Sequence, residues 1–155
     1  MPLEIERKFL LKNDEWRKQA DAGTAYRQGY LVGSRQASVR VRIEGEVASL
    51  NIKSATLGIR RQEYEYSIPV DEAEEMLDTL CEQPQIEKIR YKLMHGAHLW
   101  EIDVFAGANA GLIVAEVELG SEDETLELPA WVAEEVSDDP RYYNVSLVKH
   151  PYSAW

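Results

Sequence analysis

The chain is 155 residues long, 45% apolar and 29% charged, with a net charge of −11. Such a length and balance predict one soluble globular domain, 1–155, and disfavour a duplex nucleic acid or an anionic membrane as a whole-surface partner. The single cysteine, Cys81, excludes a disulfide framework and a cysteine zinc site, and the lack of a membrane-length apolar run or a signal peptide predicts a cytoplasmic protein.

Period-2 alternation dominates the chain from its start. Glu4–Leu11 predicts a strand. The segment 13–23 predicts a short helix, with Asn13 as N-cap and Gly23 just past its end. Four strands follow: AYRQGYLV, ASVRVRIEG, VASLNIKS and RRQEYEYSIP, with Glu44-Gly45-Glu46 as a hairpin turn. VDEAEEMLDTL reads as the clearest helix, with Val70, Ala73, Met76, Leu77 and Leu80 on one stripe. Strands resume at IEKIRYKLM, turn at His95-Gly96, and continue through HLWEIDVFAG and LIVAEVELG. LPAWVAEEVS predicts a further short helix with Pro129 near its start, and the tail predicts part helix, part irregular chain. Short links imply antiparallel neighbours, and the fold class is α+β on one antiparallel sheet or barrel.

Alternate side chains of a strand share a face, and here one face of almost every strand is charged. It carries eight acids (Glu4, Glu6, Glu63, Glu65, Glu101, Asp103, Glu116, Glu118) and eight bases (Lys8, Arg40, Arg42, Lys53, Arg61, Lys88, Arg90, Lys92). The other face is nearly all apolar. Two arrangements satisfy this pattern. The charged face of an open sheet lies in water while the apolar face packs on helices. Alternatively the sheet closes with the charges inside, and the lumen then holds water, metal ions and a highly charged ligand, because so many dry charges would be ruinous. Carboxylates suit Mg²⁺ or Mn²⁺, and Arg and Lys clamp phosphate oxygens. A metal–polyphosphate complex needs both.

These residues resemble a known family. EIERKFL is similar to the Glu-x-Glu-x-Lys signature of the CYTH superfamily, the triphosphate tunnel metalloenzymes. The likeness continues in the family's order through RQGYL, VRVR, LNIKS, QEYEYSIP, EKIRYK, EIDVFAG, AEVEL and RYYN. Length and content look most like the small bacterial members that hydrolyse inorganic tripolyphosphate. The resemblance implies a closed eight-stranded antiparallel β-barrel forming an open tunnel, a few flanking helices, metal-dependent chemistry on a triphosphate, and often a homodimer.

Carried over by resemblance, Glu4, Glu6, Glu116 and Glu118 are metal ligands. Glu63, Glu65 and Asp103 serve a second metal or support basic residues. Lys8, Arg40, Arg42, Lys53, Lys88 and Arg90 grip the substrate. Tyr30 and Lys53 correspond to a catalytic dyad of some hydrolytic members, and Arg141 and Asn144 to lid or supporting residues. Lys149 stands near a basic position found toward the C-terminus of some members. The implied reaction is in-line attack of water on a terminal phosphorus, the water being activated by metal and carboxylate or by the Tyr30–Lys53 pair. Thiamine triphosphate, nucleoside triphosphates, adenylyl cyclase chemistry and non-catalytic polyphosphate binding are the alternatives on the same scaffold. Arg61, Lys92 and Glu101 are expected at solvent-facing strand ends. Arg7 and Arg27 have the wrong parity and are expected in surface pairs, and His95, His98 and His150 lack metal-ligand spacing.

Overall fold

The computed structural model describes residues 3–34, 36–54 and 59–155. Nine strands occur in it: β1 (Leu3–Leu11), β2 (Thr24–Gly33), β3 (Ala37–Glu44), β4 (Val47–Ser54), β5 (Arg60–Ile68), β6 (Ile86–His95), β7 (His98–Phe105), β8 (Ile113–Glu118) and β9 (Val132–Glu135). The order β5-β4-β3-β2-β6-β7-β8-β1 closes on itself because β1 also pairs with β5 through Leu3 to Ile5. Every pairing is antiparallel, so the eight strands form a closed barrel. The hairpins β3–β4 and β6–β7 turn on Gly45 (φ 58°) and Gly96 (φ 61°). Each takes the first central position of a two-residue turn, where a positive φ suits glycine.

The apolar face points outward and is covered in sectors. Helix α1 (Val70–Thr79) lays Ala73 and Leu77 on Val41 and Ala48. It begins after Pro69, with Asp71 and Glu72 in its first turn complementing the helix dipole. A second sector gathers Ile5, Phe9, Trp16, Trp100, Trp131 and Val132, with Trp100 5.5 Å from both Phe9 and Trp131. The tryptophans are thus packing groups, as aromatic bulk at this spacing favours.

The third cluster lies inside the barrel. Toward one end the inward positions change from charged to apolar: Leu10, Tyr30, Ile86, Phe105, Leu112 and Val114. Against them pack Tyr142 and, from helix α2 (Asn144–Lys149), Leu147 and Val148. The C-terminal segment therefore stoppers this end of the barrel.

Two helix expectations fail. The segment 13–23 forms only a 3₁₀ turn at Glu15–Lys18, and Asn13 Oδ1 accepts from the Glu15 N–H (3.0 Å) as a local turn rather than a cap. The second, 128–137, is β9 within an otherwise irregular stretch. Among the described residues no helix is long and apolar enough to cross a membrane.

Candidate active site

The inward charges enclose a cavity of about 200 Å³. Glu4, Glu6 and Lys8 reach it from β1, Arg40 and Arg42 from β3, Lys53 from β4, Arg61 and Glu63 from β5. Arg90, Lys92, Glu101, Glu116 and Glu118 complete the wall from β6, β7 and β8. Strand parity brings these together from seven strands, because closure turns one face of every strand onto a common axis.

Behind the wall runs a buried ion network. Asp103, wholly buried, accepts from Arg90 Nε (2.7 Å) and Nη2 (2.9 Å) and from Lys88 Nζ (2.7 Å). Arg90 Nη2 continues to Glu116 Oε2 (3.0 Å), whose other oxygen accepts from Lys8 Nζ (2.9 Å). Burial alone would push Glu116 up, but Lys8, Arg90 and Lys88 outweigh it and hold its carboxyl well below the usual range. Asp103 is likewise held low against burial by Arg90 and Lys88. Burial, with Arg90 nearby, brings the Lys88 ammonium down to about 8 even beside Asp103.

A different electrostatic zone lies one step along β1. Glu6 and Glu118 are direct cross-strand partners. The Leu119 N–H donates to the Ile5 carbonyl (2.8 Å), so Ile5–Leu119 is a hydrogen-bonded pair. By alternation Glu6–Glu118 falls in the closer, non-hydrogen-bonded class. Like charges directly opposed repel. Burial and then Glu116 push the Glu6 carboxyl up, and burial followed by Glu4, Glu6, Glu63 and Glu101 push Glu118 up.

This facing pair fits a hard divalent cation. Among the described residues no three His, Cys, Asp or Glu side chains converge into a cage. Two carboxylates, with water and substrate phosphates filling the remaining positions, are the ordinary setting for Mg²⁺. Glu4 lies nearby on the same face, where its carboxylate accepts from Lys53 Nζ (3.0 Å).

The other sequence-predicted residues divide clearly. Lys53 is shared between Glu4 and Glu63 (3.3 Å). Tyr30 lines the cavity at the boundary with the apolar stopper and is 3% exposed. Lys88 and Asp103 lie behind the wall rather than in it. Glu65 is exposed, stands off the cavity lining and meets Arg42 at 3.4 Å. Arg141 is exposed and ties back to Asp139, whereas its neighbour Asn144 lines the cavity. Lys149 donates to the Gly33 carbonyl (3.2 Å) on the exterior. Arg61, Lys92 and Glu101, expected in solvent, belong to the wall.

Tyr26, Ser38, Glu44, Tyr143 and Val145 also line the cavity and were missed. Parity with Gln28 and Tyr30, and with Arg40 and Arg42, would have found Tyr26 and Glu44. Nothing periodic marks Tyr143 and Val145, which come from the irregular tail. Arg7 and Arg27 do form outer pairs, with Glu135 (2.7 Å) and Asp78 (2.8 Å).

A closed barrel walled by bases and carboxylates together is a chamber for a small, multiply charged anion accompanied by a cation. The CYTH domain profile matches residues 2–152. The chain belongs to the CYTH domain family. It is 47% identical over 152 residues to an inorganic triphosphatase of Acetivibrio thermocellus, covering 98% of this chain and 97% of that protein. An inorganic triphosphatase of Nitrosomonas europaea is 40% identical over 149 residues, covering 93% and 95%. A crystal structure of an inorganic triphosphatase superposes with a TM-score of 0.67 at 36% identity, covering 96% of this chain and 95% of that one.

Proposed function

We propose that this chain is a cytoplasmic, metal-dependent triphosphatase that hydrolyses inorganic tripolyphosphate to diphosphate and orthophosphate inside its barrel. The observation that carries this reading is the composition of the cavity wall. It is built of acids, bases, hydroxyls and the Asn144 amide, and Val145 is its one aliphatic contributor among the described residues. At about 200 Å³ the space is below the roughly 300–1,000 Å³ usual for drug-sized organic ligands. The relatives named inorganic triphosphatase agree with it.

Arg40, Arg42 and Arg90 would take non-bridging oxygens, arginine forks matching phosphate bidentately. Lys8 and Lys53 add point charges, each steadied by a carboxylate neighbour. Lys88 acts from behind the wall by holding Asp103, which in turn orients Arg90. Glu6 and Glu118 would hold Mg²⁺ or Mn²⁺, with Glu4 beside them on the same face and paired to Lys53. Glu116, both of whose oxygens already accept from cations, contributes chiefly by fixing Lys8 and Arg90. When bound, the cation supplies charge neutralisation and a more acidic water.

In-line attack of water on a terminal phosphorus breaks the phosphoanhydride bond and releases orthophosphate. Most of the acceleration comes from positioning and electrostatics. The water's proton passes to a wall carboxylate that the cation leaves free. The commitment of Lys53 to Glu4 and Glu63 favours that route over a Tyr30–Lys53 dyad, and leaves Tyr30 to donate to a phosphate oxygen. Assembly as a homodimer is part of the same reading and is checked by light scattering.

The test is phosphate release from tripolyphosphate, thiamine triphosphate and ATP in parallel, with Mg²⁺, Mn²⁺ or EDTA. Fast release from tripolyphosphate with metal, and none in EDTA, is the expected result. Preference for an organic triphosphate would overturn the substrate assignment. Glu4→Gln should abolish turnover while retaining some binding.

A further inference from the structure

Resting on the reading of a bare phosphate chain as substrate, the question is what turns an organic triphosphate away. A base or thiazole ring binds well where it can stack on an aromatic face. Three tyrosines line the cavity, and each ring is already committed. Tyr30 sits in the apolar stopper cluster. Tyr26 has the Arg90 guanidinium 5.1 Å and the Arg42 guanidinium 5.4 Å from its ring centroid. Tyr143 has the Arg61 guanidinium at 4.2 Å, the shortest such distance in the described residues.

The Arg61–Tyr143 stack is the unusual one. Arg61 stands directly opposite Glu4 in the β1–β5 register, where a cross-strand ion pair is the ordinary outcome. Instead Glu4 pairs with Lys53, and among the described residues Arg61 makes no ion pair. Its planar group lies on the tyrosine ring. That ring is itself anchored: Tyr143 Oη donates to the Ser137 carbonyl (2.9 Å), and Ser137 Oγ accepts from the Lys8 N–H (2.9 Å). A rigid aromatic plate is thus tied to β1 at the cavity wall and covered by a protein cation.

We propose that Arg61 is a specificity-determining residue: by occupying the Tyr143 face it denies an organic triphosphate its stacking site. A guanidinium suits this role. It stacks on aromatic faces as a heterocycle would, yet presents N–H edges that tolerate phosphate. Removing it uncovers one ring face without disturbing the wall that Tyr143 forms.

The experiment is calorimetric titration of tripolyphosphate and of ATP in EDTA, where turnover does not interfere. It compares wild type, Arg61→Ala, Arg61→Lys and the double variant Arg61→Ala with Tyr143→Leu. The ATP-to-tripolyphosphate affinity ratio is expected to rise at least tenfold in Arg61→Ala. It should rise in Arg61→Lys also, which keeps the charge but loses the planar cover. In the double variant the ratio should fall back towards wild type. A ratio within twofold of wild type in both single variants overturns the proposal, as does an equal rise when the ring is absent. Wild type that binds tripolyphosphate but does not hydrolyse it with metal overturns the catalytic reading alone. Wild type that binds neither ligand overturns both.

Discussion

Asp103 shows what a buried charge requires in this barrel. Its carboxylate takes three donor hydrogens from Arg90 and Lys88. Removing it would strand the buried Lys88 ammonium and leave Arg90 only Glu116 and Glu101, whereas removing Lys88 leaves Asp103 in a two-point bond with Arg90. Breaking one side of a buried pair typically costs about 3–5 kcal/mol. Asp103→Ala should therefore destabilise by about that amount, and Lys88→Met by about 1 kcal/mol or less, as read from urea unfolding of the two variants in parallel. Equal losses would mean that Lys88, not Arg90, satisfies the carboxylate. Strand parity assigned both residues to the inner face from sequence alone. It did not assign their depth, because period-2 alternation says which way a side chain points and not what lies beyond its end. The same limit explains Glu65, which shares parity with Glu63 yet lies outside the cavity. Arg61, Lys92 and Glu101 err the other way: they are expected at solvent-facing strand ends, but β6 runs on to His95 and β7 starts at His98, so Lys92 and Glu101 are paired within the wall, and Arg61 faces Glu4 in the β1–β5 register.

At the scale of elements, the β1–β8 pairing sets Glu6 directly opposite Glu118, and this like-charge contact is a local sacrifice of stability. Glu118→Gln relieves it. Because Glu118 is largely exposed, screening limits the gain to a few tenths of a kcal/mol, or about one degree in Tm. The same variant should lose most of the Tm rise that Mg²⁺ gives wild type, and differential scanning calorimetry with and without Mg²⁺ reads both effects. A lower metal-free Tm would show that the pair is not repulsive. Helix α1 packs close over β2: a Cβ on Gly29 would stand 2.9 Å from Cys81 Cβ and 3.0 Å from Leu77 Cδ2. Gly29→Ala should cost about 1–3 kcal/mol by overpacking, seen as a lower urea midpoint with unchanged slope. That helix was legible because its apolar stripe has no competing partner. The segment 128–137 was not. Leu128, Trp131, Val132 and Val136 have helical spacing, but β5 pairs with β1 only at Leu3 to Ile5 and leaves the Phe9–Leu11 edge open. β9 fills that edge, Trp131 docks on Trp100, and Arg7 takes Glu135 in a two-point bond. Long-range pairing overrides local periodicity.

The molecule as a whole inverts the usual plan of a small barrel, placing apolar clusters outside and charge within, with only one end stoppered by apolar residues. Its stability must then follow pH through the interior carboxylates, and these pull in opposite directions. Glu116 and Asp103 have folded-state pKa values below their ordinary 4.5 and 3.8. Each contributes stability that is complete above those ordinary values and is lost as pH falls through the lower folded ones. Glu6 and Glu118 are raised above 4.5. The folded state holds their protons longer, so their effect is to remove stability as pH rises from about 4.5 through the raised values. The metal-free protein should accordingly lose Tm in strong acid and also, more gently, from mild acid towards neutrality. Adding Glu6→Gln to Glu118→Gln should flatten the neutral limb and leave the acid limb in place. A Tm profile measured in EDTA from pH 2 to 8 decides this. A neutral limb that persists in the double variant would locate the repulsion elsewhere in the wall, with Glu101, which burial also raises, the next carboxylate to test.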